Sequence, residues 1–284
     1  MKAGCLILTG VILVAIMAVC VMVKFATEIQ VEEKIREDFP GQGIFKFSKS
    51  MGVIALNENS SLVMSERFPY VAAITRNYSN TWTFACFASI ILVKWVVTSA
   101  HCRKAGSSHR VLLYHDFVRN YTHTYPIMFW RIHEQFNSTE GTPKFDIAVA
   151  KLNMIEAHPV TMKSSIFDEL PASDVEASVW KTVSTMDKRL FLTNDFDKFS
   201  VKIAHESRCY ESYGVFLDDS MFCLDVSDYE DCFVHEFGPV YSGDKVLGII
   251  ALKPRECEMK LAIFTNVSYY TNWILKTTKT SLYG

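Results

Sequence analysis

The chain has 284 residues, 49% of them hydrophobic, and 29 Lys+Arg set against 31 Asp+Glu, for a net charge of −2. That is enough chain for one large globular domain with a substantial core. The near-neutral balance excludes the basic footprint of a nucleic-acid-binding protein.

Residues 1–23 stand apart from the rest. The stretch 3–23 carries no charge and lies between Lys2 and Lys24. It is long enough to span a hydrocarbon core of about 30 Å. It also reads as a secretory signal, because Ala18-Val19-Cys20 resembles a small-x-small cleavage site. As an anchor or as a cleaved signal, it directs the body into the secretory pathway. A positive amino end would stay cytoplasmic and leave the domain outside, as in a type II membrane protein.

Residues 24–50 are charged and weakly hydrophobic, with Glu28, Glu32, Glu33, Lys34, Arg36, Glu37 and Asp38 before Gly41-Gln42-Gly43. They read as a stalk or linker. From residue 51 the chain becomes a series of short apolar runs rich in Val, Ile, Phe and Trp and bounded by polar turns. The runs at 68–74, 84–92, 95–99, 110–114 and 147–152 predict a first set of strands. Those at 178–184, 199–203, 221–224, 246–252 and 262–266 predict a second. Residues 267–279 predict a terminal helix, with Tyr270, Trp273 and Ile274 at helical spacing. The reading is all-β, barrel or sandwich, closed by a C-terminal helix.

Cys5 and Cys20 lie in the leader, and the body holds Cys86, Cys102, Cys209, Cys223, Cys232 and Cys257. Six cysteines in an exported chain point to disulfides, with fifteen pairings open by arithmetic. Asn-x-Ser/Thr sequons begin at Asn59, Asn77, Asn120, Asn137 and Asn266, which predicts a glycoprotein.

Three segments carry chemistry. They are Val96-Val97-Thr98-Ser99-Ala100-His101-Cys102, Phe145-Asp146-Ile147-Ala148-Val149-Ala150-Lys151-Leu152 and Asp231-Cys232-Phe233-Val234-His235-Glu236-Phe237-Gly238-Pro239. In order, they resemble the V-L-T-A-A-H-C, D-I-A-L-L-K-L and D-S-C-x-G-D-S-G-G-P motifs of trypsin-like serine proteases. The resemblance covers about residues 54–276. It implies two packed six-stranded antiparallel barrels, at about 54–155 and 165–266, within a domain of residues 51–284. It also implies the pairs Cys86–Cys102, Cys209–Cys223 and Cys232–Cys257.

The same resemblance marks what is missing. In that family a histidine takes the serine proton while a buried aspartate fixes its tautomer. His101 and Asp146 match those positions, but the serine falls on Glu236. A carboxylate attacking an amide would have to form a mixed anhydride, and Glu reaches further than Ser into the space of a scissile carbonyl. Two carboxylates on one imidazole would instead favour the imidazolium through charge-assisted bonds. Val234 replaces the glycine that supplies an oxyanion-hole N–H, and a β-branched residue suits that backbone poorly. His235 replaces the aspartate that receives a new N-terminus on zymogen cleavage. Around Met51-Gly52-Val53-Ile54 there is no R-I-V-G-G sequence; Lys49 offers only a cleavage site.

The specificity pocket also departs from the pattern. Glu230 aligns with its base, Ala251-Leu252-Lys253 with the S-W-G wall, and Ala262 with a wall glycine. Lys253 adds bulk at the mouth. Ser242, in Tyr241-Ser242-Gly243-Asp244, reads as a turn residue and not as a displaced nucleophile. His101, Asp146 and Glu236 together offer too few ligands on one face for a metal, and no cofactor motif is present.

The sequence therefore predicts a serine protease homologue without peptidase activity that works by binding protein partners, active proteases or their substrates among them. The alternatives are a hydrolase with an atypical nucleophile and a membrane-tethered structural or adhesion protein. The basic segment 103–110 and the aromatic segment 115–133 are the predicted contact loops.

Overall fold

The computed structural model describes residues 46–48, 53–55, 70–114, 123–137, 143–153, 175–184, 189–227, 237–243, 245–254 and 259–280. The first barrel is built from β3 (Val71–Tyr78), β4 (Thr81–Leu92), β5 (Trp95–Thr98), β6 (His109–Leu113), β7 (Tyr125–Ile132) and β8 (Ala148–Leu152). Its strands pair in the order β3-β4-β5-β8-β7-β6, and β6 pairs back onto β3 to close the cylinder. Pairing the first strand with the last removes most of the edge that an open sheet would expose. A two-residue turn joins β3 to β4, with Ser79 and Asn80 at φ 49° and 63°. Two successive positive φ values match the right-handed twist of a tight hairpin.

The second barrel comprises β9 (Val175–Ser184), β10 (Leu190–Ala204), β11 (Met221–Asp225), β12 (Val240–Ser242), β13 (Lys245–Leu252) and β14 (Leu261–Asn266). The order is β10-β11-β14-β13-β12-β9, and the β9–β10 pairing closes it. Two short strands, β1 (Lys46–Ser48) and β2 (Val53–Ala55), extend this sheet from β10. β2 runs parallel to β10, with Val53 opposite Leu192 and Ile54 opposite Thr193. Thus β1 forms inside the stretch that composition reads as linker.

Each barrel encloses its own apolar core. Ile74, Phe87, Ile90, Val96, Leu112 and Val149 fill the first. Phe222, Leu224, Val240, Leu247, Ile250 and Phe264 fill the second. The first cluster continues into Tyr241, Val246 and Ile249 of the second barrel and into Val267, Tyr270 and Ile274 near the C-terminus. Gly248 marks tight packing inside the second barrel. A Cβ there would lie 2.5 Å from Cζ of Phe222.

Two helices complete the described chain, α1 (Glu206–Tyr213) and α2 (Thr271–Thr280). α1 is absent from the sequence reading. Of its residues only Cys209 is buried, so it has no apolar stripe to announce it. Its ends are nevertheless marked: His205 Nδ1 accepts from Ser207 N at 3.3 Å, and Gly214 closes the helix at φ 68°. α2 starts later than the predicted helix, because 267–270 form turns.

The strand boundaries also shift. β3 replaces the predicted 68–74 strand, and β10 is far longer than 199–203, because Asn194, Asp195 and Asp197 mask its first half. β7 corrects the reading of 115–133 as a loop. Pro126 and a half-exposed Ile-Met-Phe-Trp run hide its alternation. Among the described residues no helix is long and apolar enough to cross a membrane, and the leader lies outside them.

Candidate active site

His101 sits in a single 3-10 turn, Ala100–Cys102, directly after β5. Asp146 lies just before β8, which pairs antiparallel with β5 from Trp95↔Lys151 to Thr98↔Ala148. The neighbouring strands therefore bring together two residues far apart in sequence. His101 Nδ1 donates to Asp146 Oδ2 at 2.6 Å, and the His101 backbone N–H donates to Oδ1 at 2.9 Å. Both carboxylate oxygens thus receive a bond from the same residue, which fixes ring and backbone together. The Asp146 side chain is only 4% exposed, and that of His101 36%. A buried carboxylate beneath a half-open imidazole is the arrangement that selects the Nδ1–H tautomer and leaves Nε2 facing outward.

The second barrel holds this pair from behind. Thr265 Oγ1, on β14, donates to the Asp146 carbonyl at 3.2 Å. Ser99 Oγ donates to the carbonyl of Ile250, on β13, at 2.5 Å. Phe145, immediately before Asp146, has φ 58°, an uncommon value for a bulky residue. Its ring stacks on His133, with centroids 5.0 Å apart and planes at 10°. His133 in turn meets Tyr270 and Trp273. Burial holds the His133 pKa below 6.5, against an opposing pull from Glu134. Lys144 pairs with Asp218 at 2.6 Å and so ties the same loop to the segment before β11. Partial burial raises the Asp218 carboxyl, but Lys144 and the bonds from Ser220 outweigh it and leave its pKa lowered. Thr265, Phe145 and His133 carry no local sequence signal for this supporting role; only closure of the barrels assembles them.

His101 Nε2 lies 3.8 Å from Cys86 Sγ. Cys86, His101 and Cys102 are close enough to suggest a metal site by residue type. The two sulfurs are joined to each other, however, and offer no thiolate to an ion. A second disulfide links Cys209 to Cys223. Cys232 and Cys257 lie outside the described residues, as do Glu230, Val234, His235 and Glu236.

The remaining pocket positions are partly visible. Ala251 and Ala262 are buried on β13 and β14, while Leu252 and Lys253 are half-buried. Ser242 ends β12 at the turn through Gly243, whose φ is 61°.

Among the sequons, Asn137 is exposed. Asn77 is half-buried and accepts from Asn80 N at 3.0 Å. Asn266 donates to the Asp219 carbonyl at 3.0 Å and accepts from Ser268 N at 3.1 Å. Asn59 and Asn120 lie outside the described residues.

The Trypsin family model matches residues 59–274, most of the chain and all of the site just described. The chain belongs to the trypsin family. Human Kallikrein-5 is 23% identical over 202 residues, covering 68% of this chain and 67% of the relative. The Chymotrypsin of Phaedon cochleariae is 25% identical over 228 residues, covering 76% and 80%. Among solved structures, neuropsin, a serine protease expressed in the limbic system of mouse brain, superposes with a TM-score of 0.59. At 21% identity it covers 74% of this chain and 95% of its own, and it supports the chymotrypsin-like fold. His101 and Asp146 both lie within the matched region.

Proposed function

We propose that this trypsin-family domain has no peptidase activity and works outside the cell by binding, as an adaptor, decoy or cofactor for active proteases or their surface ligands. One observation carries the reading. In the segment that aligns with the family's nucleophile loop, Glu236 stands at the serine position. A serine hydrolase splits amide cleavage into two acyl transfers through its hydroxyl oxygen. Glu236 has no such oxygen to give, so the His101–Asp146 pair has nothing to activate. Val234 and His235 reinforce this, since oxyanion and activation positions depart from the family in the same loop.

The apolar leader and the sequons support an exported, glycosylated protein, secreted or anchored by residues 3–23. Asn137 is the exposed sequon best placed to carry a glycan. A second reading, a hydrolase with an atypical nucleophile, has the intact His101–Asp146 bond in its favour.

Labelling with a fluorophosphonate separates the two readings. The expected result is no covalent adduct on the protein. An adduct would overturn the proposal and locate another nucleophile. A Glu236→Ser variant run beside it reports the state of the rest of the site. Labelling of the variant would place the loss at Glu236 alone. Silence would extend it to Val234 and His235.

A further inference from the structure

A second binding feature lies on the first barrel, built from residues that catalysis does not use. β6 and β7 pair only at Arg110↔Pro126 and Val111↔Tyr125. β7 then runs on to Ile132, paired with β8 on its other side. Beyond Pro126, no strand among the described residues pairs with β7 on the β6 side. The seam opens into a groove of 560 Å³, bounded by Trp82, the 103–110 segment and residues 126–130. The basic segment and the aromatic segment singled out in the sequence are thus the two walls of one feature.

Its charge is one-sided. Arg103, Lys104 and Arg110 line it, and no Asp or Glu does among the described residues. Arg103 and Lys104 are exposed. The Arg110 guanidinium lies 4.5 Å over the Trp82 ring, and its Nη1 donates to Thr124 Oγ1 at 3.4 Å. A guanidinium held over an indole keeps its planar fork available to a carboxylate. His109, at the head of β6, is only 8% exposed, and its Nε2 has no hydrogen-bond partner. An unsatisfied buried polar atom in a groove wall is costly for a site that stays empty. Apolar surface lies beside the charge: Met128 is 59% exposed, and the ring of Trp130 abuts His109 at 5.4 Å.

We infer that this groove binds an extended acidic peptide segment of a protein partner, with carboxylates on Arg103, Lys104 and Arg110 and an apolar side chain against Met128 and Trp130. Three features favour a peptide over a sulfated glycan. The groove opens along an unpaired strand edge, which a peptide backbone can join as an added strand. Its apolar wall suits a Leu or Tyr side chain. Its cations are few and interleaved with rings. The inference deepens the binding reading by naming the partner's chemistry, yet it concerns a surface apart from His101 and Asp146.

The test uses the protein as a secretory host processes it, with N-glycans trimmed to one sugar so that a glycan at Asn77 does not mask the rim. The probe is a fluorescein-labelled peptide of alternating Glu and Leu, followed by anisotropy and by Trp emission. The matched Lys-Leu peptide and a heparin-derived oligosaccharide serve as comparators. Saturable binding of the Glu-Leu peptide, weakened by salt, is expected. An Arg110→Gln/Lys104→Gln variant should bind about tenfold more weakly, the loss of about 1.4 kcal/mol. Lys279→Gln, an exposed charge change on α2, should leave binding unchanged. Arg103→Gln provides a second variant that does not disturb the Arg110–Trp82 stack, and it too should weaken binding.

Equal binding by all variants, or none by the natural protein, would overturn the inference. So would tight oligosaccharide binding without peptide binding. Fluorophosphonate labelling of the same natural protein separates the two proposals: peptide binding that persists in a natural protein that also forms an adduct would sink the inactive reading and leave this one standing.

Discussion

Asp146 receives two hydrogen bonds from one residue while nearly buried, and on the proposed reading, in which no nucleophile serves the pair, those bonds have only structural work to do. Asp146→Ala should therefore lower stability by about 1–3 kcal/mol, because it strands the His101 N–H and ring nitrogen. Chemical denaturation with an unchanged m-value would read this directly. An unaltered midpoint would mean that the pair is not holding the loop. The residue types of this site were legible in sequence. His101 and Asp146 sit inside motifs whose flanking residues are also the buried strand residues of β5 and β8, so function and core packing reinforce one signal. What supports them was not legible. Thr265 bonds the Asp146 carbonyl from the second barrel, and the positive φ of Phe145 and its stack on His133 have no local pattern to foretell them.

At the scale of elements, the strands that read clearly are those with continuous apolar runs, β4, β5, β8 and β13. β7 and the first half of β10 did not: β7 is half-exposed and carries Pro126, and the Asn and Asp residues of β10 read as turn-like composition. Helix α1 escaped for a different reason: its anchor is a disulfide at Cys209 and not an apolar face. Packing within the second barrel gives a sharper expectation. Gly248→Ala would place a Cβ 2.5 Å from Phe222 Cζ and also crowd Phe264, so the ring must move or the strand must shift. Overpacking of this kind costs about 1–3 kcal/mol, read as a lowered Tm. A neutral or stabilised variant would show that Phe222 is free to turn aside.

For the whole molecule, ionisation links stability to acidity with a definite sign. Burial, helped by Arg76 and Arg103, holds His109 below 6.5, and burial does the same for His133. Each contributes stability that is present above pH 6.5 and is lost as pH falls through its folded value. Asp218 and Asp225 are shifted below 3.8 despite partial burial, because Lys144 and Ser220, and Ser227 and Arg208, bond their charged forms. Their contribution is present above pH 3.8 and is lost at lower pH. Unfolding free energy should therefore decline in two steps on acidification, with His109 and His133 titrating below 6.5 by NMR. A stability that rises between pH 7 and pH 5, with both histidines titrating above 6.5, would contradict the assignment.

The claim on which the functional reading rests is that this trypsin-family fold retains the general-base pair without a nucleophile for it to serve. Incubation of the protein with a broad peptide library, with new termini read by mass spectrometry, tests that claim most directly. The account predicts no new termini, from the natural protein or from His101→Ala. Termini produced by the natural protein and abolished in His101→Ala would contradict it, because cleavage would then run through the very pair that Glu236 is held to have left idle.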